Sequence, residues 1–107
     1  MHEAGIARGV AEVLRRERVD GRRVVLHVRG GHHRPEEFES SLRLHLQIEA
    51  PELDVGAFEI VHDPAPRLCV GCGREFSAVL PDERCPRCGG SSLPLLEHEQ
   101  VDVELVG

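Results

Sequence analysis

Cys69-Val70-Gly71-Cys72 and, twelve residues later, Cys85-Pro86-Arg87-Cys88 decide how this chain is read. Two residues between paired thiols let both sulfurs reach one ion. The glycine after each pair, Gly73 and Gly89, permits the turn that folds around it. Two such knuckles face to face present four thiolates in a tetrahedron, which is a closed structural zinc site with no position left for water or substrate. Iron in a rubredoxin-like cage satisfies the same tetrahedron, and disulfides or idle thiols are the remaining readings. Against iron stands the thin aromatic cover, since only Phe76 lies nearby. The pattern is that of a zinc ribbon, a fold shared by nucleic-acid binders, chaperones and assembly factors, so by itself it names no function.

Outward from the cysteines the character of the chain changes. Residues 67 to 92 contain all four cysteines and no apolar stripe long enough to fold by burial, and Pro64-Ala65-Pro66 reads as a stiff connector into them. Upstream, Ile6, Val10, Val13 and Leu14 recur at helical spacing and predict a helix from Ala4 to about Arg18. Arg15, Arg16 and Arg18 complement the dipole at its C-terminal end, and Asp20-Gly21 stops it. Arg22 to Val28 is β-branched and predicts a buried strand. Gly30-Gly31-His32-His33-Arg34 is a loop. Pro35 suits the first position of a second helix, with Glu36 and Glu37 in its first turn. Phe38, Leu42, His45 and Leu46 give that helix an apolar face as far as about Ile48, and Pro51 ends it. A strand is expected from about Ala57 to His62, with Phe58 and Ile60 on one side. Val101, Val103 and Leu105 alternate with Asp102 and Glu104, as in a half-buried strand. The order predicts an α+β fold: a small three-stranded sheet with two helices, and a zinc-ribbon module inserted before the last strand. Residues 1–64 plus 93–107 form the first expected domain and residues 65–92 the second.

Composition narrows the function. The 107 residues suit one domain carrying a small outgrowth, and 40% hydrophobic residues allow a real core. Only 3% are aromatic, so that core is aliphatic and a metal cross-link would help it. The net charge of -6 argues against a nucleic-acid partner, and no apolar run approaches a membrane span. The start, Met1-His2-Glu3-Ala4, lacks the features of a secretory signal, so a reducing cytoplasm is expected, where paired cysteines favour metal over disulfides. No nucleophile–base pair, phosphate-cradling glycine loop or paired carboxylates stand out, and no enzymatic activity is expected.

The N-terminus carries a second chemistry. His2 places the free α-amine, its own amide and its imidazole within chelating reach of one ion, nearly in a plane once the amide is deprotonated. Nickel(II) and copper(II) accept such tetragonal nitrogen geometry, whereas zinc has no electronic preference for it. Glu3 can close the fourth position through its amide or carboxylate. Read from the residues alone, His2 is either such a ligand or an exposed residue before a helix.

Met1-His2-Glu3-Ala4-Gly5-Ile6-Ala7, joined to Cys69-x2-Cys72-Gly-Arg-Glu-Phe and Cys85-Pro-x-Cys88-Gly, resembles the HypA/HybF family of hydrogenase maturation proteins. The element order and Gly56-Ala57-Phe58-Glu59-Ile60 extend the resemblance over nearly the whole chain. It implies nickel on Met1, His2 and Glu3 as transient cargo, and structural zinc on Cys69, Cys72, Cys85 and Cys88. It further implies delivery, with a HypB-like GTPase partner, to the large subunit of nickel–iron hydrogenase or to another nickel enzyme such as urease. A monomer or weak homodimer is expected. One departure stands out. The family carries a Gly-Glu-Leu-like stretch at the end of the first strand, where this chain has Val28-Arg29-Gly30-Gly31-His32-His33.

His32 and His33 are candidates for an auxiliary metal site, or else solvated loop residues. His45 reads as core-flanking, and His27 and His62 carry no partner signal. Glu97-His98-Glu99 reads as a solvated face, or else as an acidic stretch that recruits metal. Arg15, Arg16, Arg18, Arg22 and Arg23 read as a helix-end charge cluster, or as a dock for an acidic partner.

Overall fold

The computed structural model describes residues 2–17, 19, 21–31 and 33–107, with the backbone alone for His2. The strand Arg23–Arg29 (β1) is the axis of the fold. Val24, Leu26 and Val28 project from one of its faces and are buried, as the period-two geometry of a strand requires. β1 pairs in parallel with Glu59–His62 (β2) and antiparallel with Gln100–Val106 (β6), giving a three-stranded sheet in the order β2-β1-β6. Two helices, His2–Glu17 (α1) and Pro35–Glu49 (α2), pack on each other, and α1 also meets β6. Their apolar faces close over Leu26, with Leu14, Leu42 and Leu46 fully enclosed.

The second helix starts at Pro35 and buries Phe38, Leu42 and Leu46, while His45 is half-buried at the margin. In α1 the buried line is Ala7, Val10, Ala11 and Leu14, with Ile6 and Val13 at its edge rather than at its centre. Ala7 and Ala11 are buried although their side chains are too small to mark an apolar helix face by themselves. Ala57 does not begin the next strand. Val55–Ala57 is a 3-10 turn, and Arg43 from α2 donates to the carbonyls of Val55 (3.0 Å) and Phe58 (2.9 Å), fixing the backbone there.

A second three-stranded sheet follows, built from Ala65–Cys69 (β3), Glu75–Ala78 (β4) and Ser92–Pro94 (β5) in the order β4-β3-β5, all antiparallel. The expected connector at Pro64-Ala65-Pro66 is therefore shorter. Ala65 and Pro66 already belong to β3, a short strand whose start tolerates proline. The fold is α+β, two helices and two small sheets, with the cysteine-bearing sheet inserted before β6. No helix is long and apolar enough to cross a membrane among the described residues.

On the sheet face turned away from the helices, His27 bridges Asp63 (Nδ1 to Oδ2, 3.2 Å) and Glu104 (Nε2 to Oε1, 2.7 Å). The hydrogen bond to Glu104, aided by the charges of both carboxylates, raises the His27 pKa against a smaller opposing effect of burial. A histidine raised on folding stabilises fully below its unfolded value of about 6.5 and loses that contribution as pH climbs through the folded value. Metal-loaded protein should therefore lose stability to urea between pH 6 and pH 8, and His27→Gln should shrink that loss; equal losses in both proteins would refute the pairing. Leu42→Ala should cost about 2–5 kcal/mol in the same denaturation, whereas Ile48→Ala, at a position 66% exposed, should stay within about 0.5 kcal/mol of the parent.

Candidate metal centre

β3 ends on Cys69, and the chain turns at once through the first knuckle. The amide of Gly73 donates to the Cys69 carbonyl (3.0 Å), while the amides of Gly71 and Cys72 point at the Cys69 sulfur, 3.3 and 3.4 Å away. The second knuckle repeats the first, with the Gly89 amide donating to the Cys85 carbonyl at 2.9 Å. Gly73 and Gly89 both adopt positive φ, +75° and +73°, the backbone state that the sequence assigns to glycine at these turns. A hydrogen bond from the Val70 amide to the Ser91 carbonyl (2.9 Å) joins the knuckles. Below them Arg67 is buried in β3, donating to the Ser92 hydroxyl (2.6 Å) and to the carbonyls of Pro81 and Ser92 (both 3.2 Å). Nothing in the sequence around Arg67 marks it as the internal clamp of this sheet.

All four sulfurs lie within 4.8 Å of one another, and all four cysteines are free thiols. Cys69 and Cys88 are 3.4 Å apart at sulfur, and Cys72 and Cys85 are 3.8 Å apart. Sulfurs about 2.3 Å from one tetrahedral zinc ion are separated by about 3.8 Å. The donor set thus fits a single four-thiolate ion and lies well beyond the roughly 2 Å of a disulfide. Cys69 and Cys85 are buried and Cys72 and Cys88 exposed, so the ion would sit at the margin of the sheet.

The electrostatics suit a cation. The Cys72 amide, helped by a hydrogen bond from Cys88 and by the Gly71 amide, holds the Cys69 thiol down to about 6. The amides of Cys88 and Arg87 likewise lower Cys85. Cys88 moves the other way, to about 11, because it keeps the proton it shares with Cys69. A divalent ion held by the four sulfurs would displace that proton.

The N-terminal candidates are only partly described. Met1, the imidazole of His2, and His32 lie outside the described residues. Helix α1 already includes His2 and Glu3, two residues earlier than the expected start at Ala4, and Glu3 places negative charge at the positive end of the helix dipole. The Glu3 side chain is only 16% exposed, with its carboxylate 3.9 Å from Nε2 of His33. The other ring nitrogen of His33, Nδ1, donates to Glu99 Oε1 at 2.6 Å. That bond, with the nearby charges of Glu99, Glu3 and Glu37, raises the His33 pKa against the pull of burial.

Against known proteins, the solution structure of the Ni metallochaperone HypA from Helicobacter pylori is similar at 17% identity. The match covers 100% of this chain and 99% of that one, with a TM-score of 0.43. No family model and no curated protein matches.

Of the basic cluster, Arg18 lies outside the described residues. Arg15 donates to the Glu49 carbonyl (2.7 Å) and pairs with Glu52, and Arg23 pairs with Glu59, so these two cations serve the fold's own surface. His62 lies 3.9 Å from Glu39. Glu97 and His98 are exposed, but Glu99 is buried, its side chain 4% exposed. The expected solvated face at Glu97-His98-Glu99 is therefore wrong at Glu99, where the loop carrying His33 covers the carboxylate.

A methyl group at Gly90 would meet the sulfurs of both Cys69 and Cys88 at 3.2 Å, whereas one at Gly5 would meet nothing within 4 Å. Gly90→Ala should lower zinc affinity about tenfold in competition with a chromogenic chelator, and Gly5→Ala should leave it unchanged. Equal retention by both variants would show that the sulfurs do not close on an ion beneath Gly90.

Proposed function

We propose that this protein is a nickel metallochaperone. It takes up Ni(II) at Met1, His2 and Glu3 and holds one structural zinc ion at Cys69, Cys72, Cys85 and Cys88. The observation that carries this reading is the position of Glu3. Its carboxylate stands in the first turn of a helix that begins at His2, with a histidine ring alongside. The first amides of a helix have no intrahelical acceptor, so the His2 amide is available to lose its proton to a metal. The paired motifs Met1-His2-Glu3 and Cys69-x2-Cys72…Cys85-x2-Cys88, with their resemblance to HypA/HybF proteins, support the same assignment.

In this reading residues 1–64 plus 93–107 form the nickel-binding domain and residues 65–92 the zinc-ribbon domain. The core cluster favours that division, since it draws on residues 6–60 and 101–105. A few donors at a chain terminus hold the cargo reversibly. A HypB-like GTPase docks on the first domain in the cytoplasm, and the client, the large subunit of a nickel–iron hydrogenase or another nickel enzyme, captures the ion. The ribbon acts as a lever on the loader, a role supported by the hydrogen bond from the Gly31 amide to the Leu96 carbonyl (2.8 Å), which ties the chain leaving β5 to the loop after β1.

A second reading, a ribbon that binds another protein without nickel delivery, is favoured by the exposed apolar residues Val70, Leu93 and Leu95. The two part at the N-terminus. Native mass spectrometry of untagged protein should show one added nickel per chain, lost in His2→Ala and lost when a single residue is placed before Met1. Nickel uptake that is absent from the parent, or indifferent to both changes, would leave only the second reading.

A further inference from the structure

The two close sulfur contacts of the cysteine cluster both cross from one knuckle to the other, and each joins an exposed cysteine to a buried one. Exposed Cys88 stands 3.4 Å from buried Cys69, and exposed Cys72 stands 3.8 Å from buried Cys85. A sulfur that binds zinc is a thiolate, and thiolates within reach of solvent are the sulfurs that hydroperoxides oxidise. An exposed thiolate with a second sulfur at van der Waals distance is the arrangement of an oxidised residue and its resolving partner.

The surroundings single out the Cys69–Cys88 pair. Two glycines, one from each knuckle, stand over it. A methyl group at Gly90 would lie 3.2 Å from both sulfurs, and one at Gly71 would lie 3.3 Å from that of Cys88 and 3.6 Å from that of Cys69. With hydrogen at both positions, neither residue roofs the sulfurs, and Cys88 keeps its solvent face. Cys69 is placed differently. It is 1% exposed, and its sulfur accepts from the amides of Gly71 and Cys72 at 3.3 and 3.4 Å. It is sheltered from an oxidant in solution yet held beside its neighbour. The closer pair thus has one sulfur open to attack and one fixed to answer it.

We infer that Cys88 is an oxidation site, at which a hydroperoxide starts a reaction ending in a Cys69–Cys88 disulfide and loss of the zinc ion. The inference rests on the zinc reading above and is independent of nickel at the N-terminus. With hydrogen peroxide, the Cys88 sulfur attacks one oxygen; an S–O bond forms, the O–O bond breaks, and the departing hydroxide takes a solvent proton to become water. The Cys69 thiolate then attacks the sulfenyl sulfur of Cys88; the S–S bond forms, and a second hydroxide leaves as water with another solvent proton. Each sulfur gives up one electron, and the peroxide takes both. The sulfurs must close from 3.4 Å to about 2 Å, a shift that side-chain rotation at the glycine-covered side accommodates. The ion is left with Cys72 and Cys85, half of a closed tetrahedral site, and escapes. Because the new bond joins the same two knuckles that the ion held, a covalent link remains after the metal has gone, and a thiol reductant reverses it.

The test uses the full, untagged, zinc-loaded chain, with hydrogen peroxide as the probe. Zinc should reach a chromogenic chelator in step with the loss of two free thiols per chain. Mass spectrometry after alkylation of the remaining thiols should find peptides joined through Cys69 and Cys88. Dimedone present during oxidation should label Cys88 and suppress that link. Dithiothreitol and added zinc should return the unlabelled product to one zinc per chain. Links confined to Cys69–Cys72 or Cys85–Cys88, dimedone on Cys72 in place of Cys88, or zinc retained through prolonged excess peroxide overturns this inference and leaves the zinc site standing. A reduced parent that binds no zinc overturns the site itself, and this inference with it.

Discussion

Four sulfurs gathered within 4.8 Å are the constraint on which the second half of the molecule depends. The strands they organise are five, four and three residues long, too short to persist on backbone pairing alone. The hydrophobic core, built around Leu26 and the two helices, takes none of its described members from residues 61 to 100. What holds this sheet is polar and local: amides aimed at sulfur, paired knuckles, and the buried guanidinium of Arg67 spanning β3, β5 and the Pro81 loop. An ion bound by the thiolates converts that arrangement from a set of weak contacts into a cross-linked unit.

The first half is organised by the opposite logic, aliphatic burial over a small mixed sheet, and its polar features gather outside the core. On the open face of the sheet His27 joins three parts of the chain through Asp63 and Glu104. At one rim, His33 stands between Glu99 and Glu3, residues 96 positions apart in sequence. Both histidines sit between carboxylates, yet only His33 has one ring nitrogen anchored to a buried group and the other facing a helix start.

Most of the fold was legible because its signals are local. Pro35 with Glu36 and Glu37 marks a helix start, β-branched residues mark β1, and alternating valine and acid mark β6. The two CxxCG repeats announced the sulfur cluster for the same reason, since each knuckle is complete within five residues. What escaped was set by tertiary placement. Ala7 and Ala11 are buried by the packing around α1 rather than by their own size, and the turn at Val55–Ala57 exists where Arg43 of α2 reaches two carbonyls. Glu99 looked like one acid among several, and nothing in Glu97-His98-Glu99 reveals which one the glycine loop will cover. The pairing of Glu3 with His33 is likewise invisible in a sequence that separates them by a helix and a strand.

The insertion of the cysteine-bearing sheet between β2 and β6 bears on how the chain assembles. Among the described residues β6 pairs only with β1, so the first sheet lacks its third strand until residues 100–106 return across the whole intervening segment. Closing a span of that size costs entropy that grows with the logarithm of its length. With the thiolates already gathered on an ion, the free span shrinks to the few residues flanking β3 and β5, which lowers the cost by about 1 kcal/mol. A metal ion at the thiolates would therefore also support the β2-β1-β6 sheet, which contains no cysteine at all.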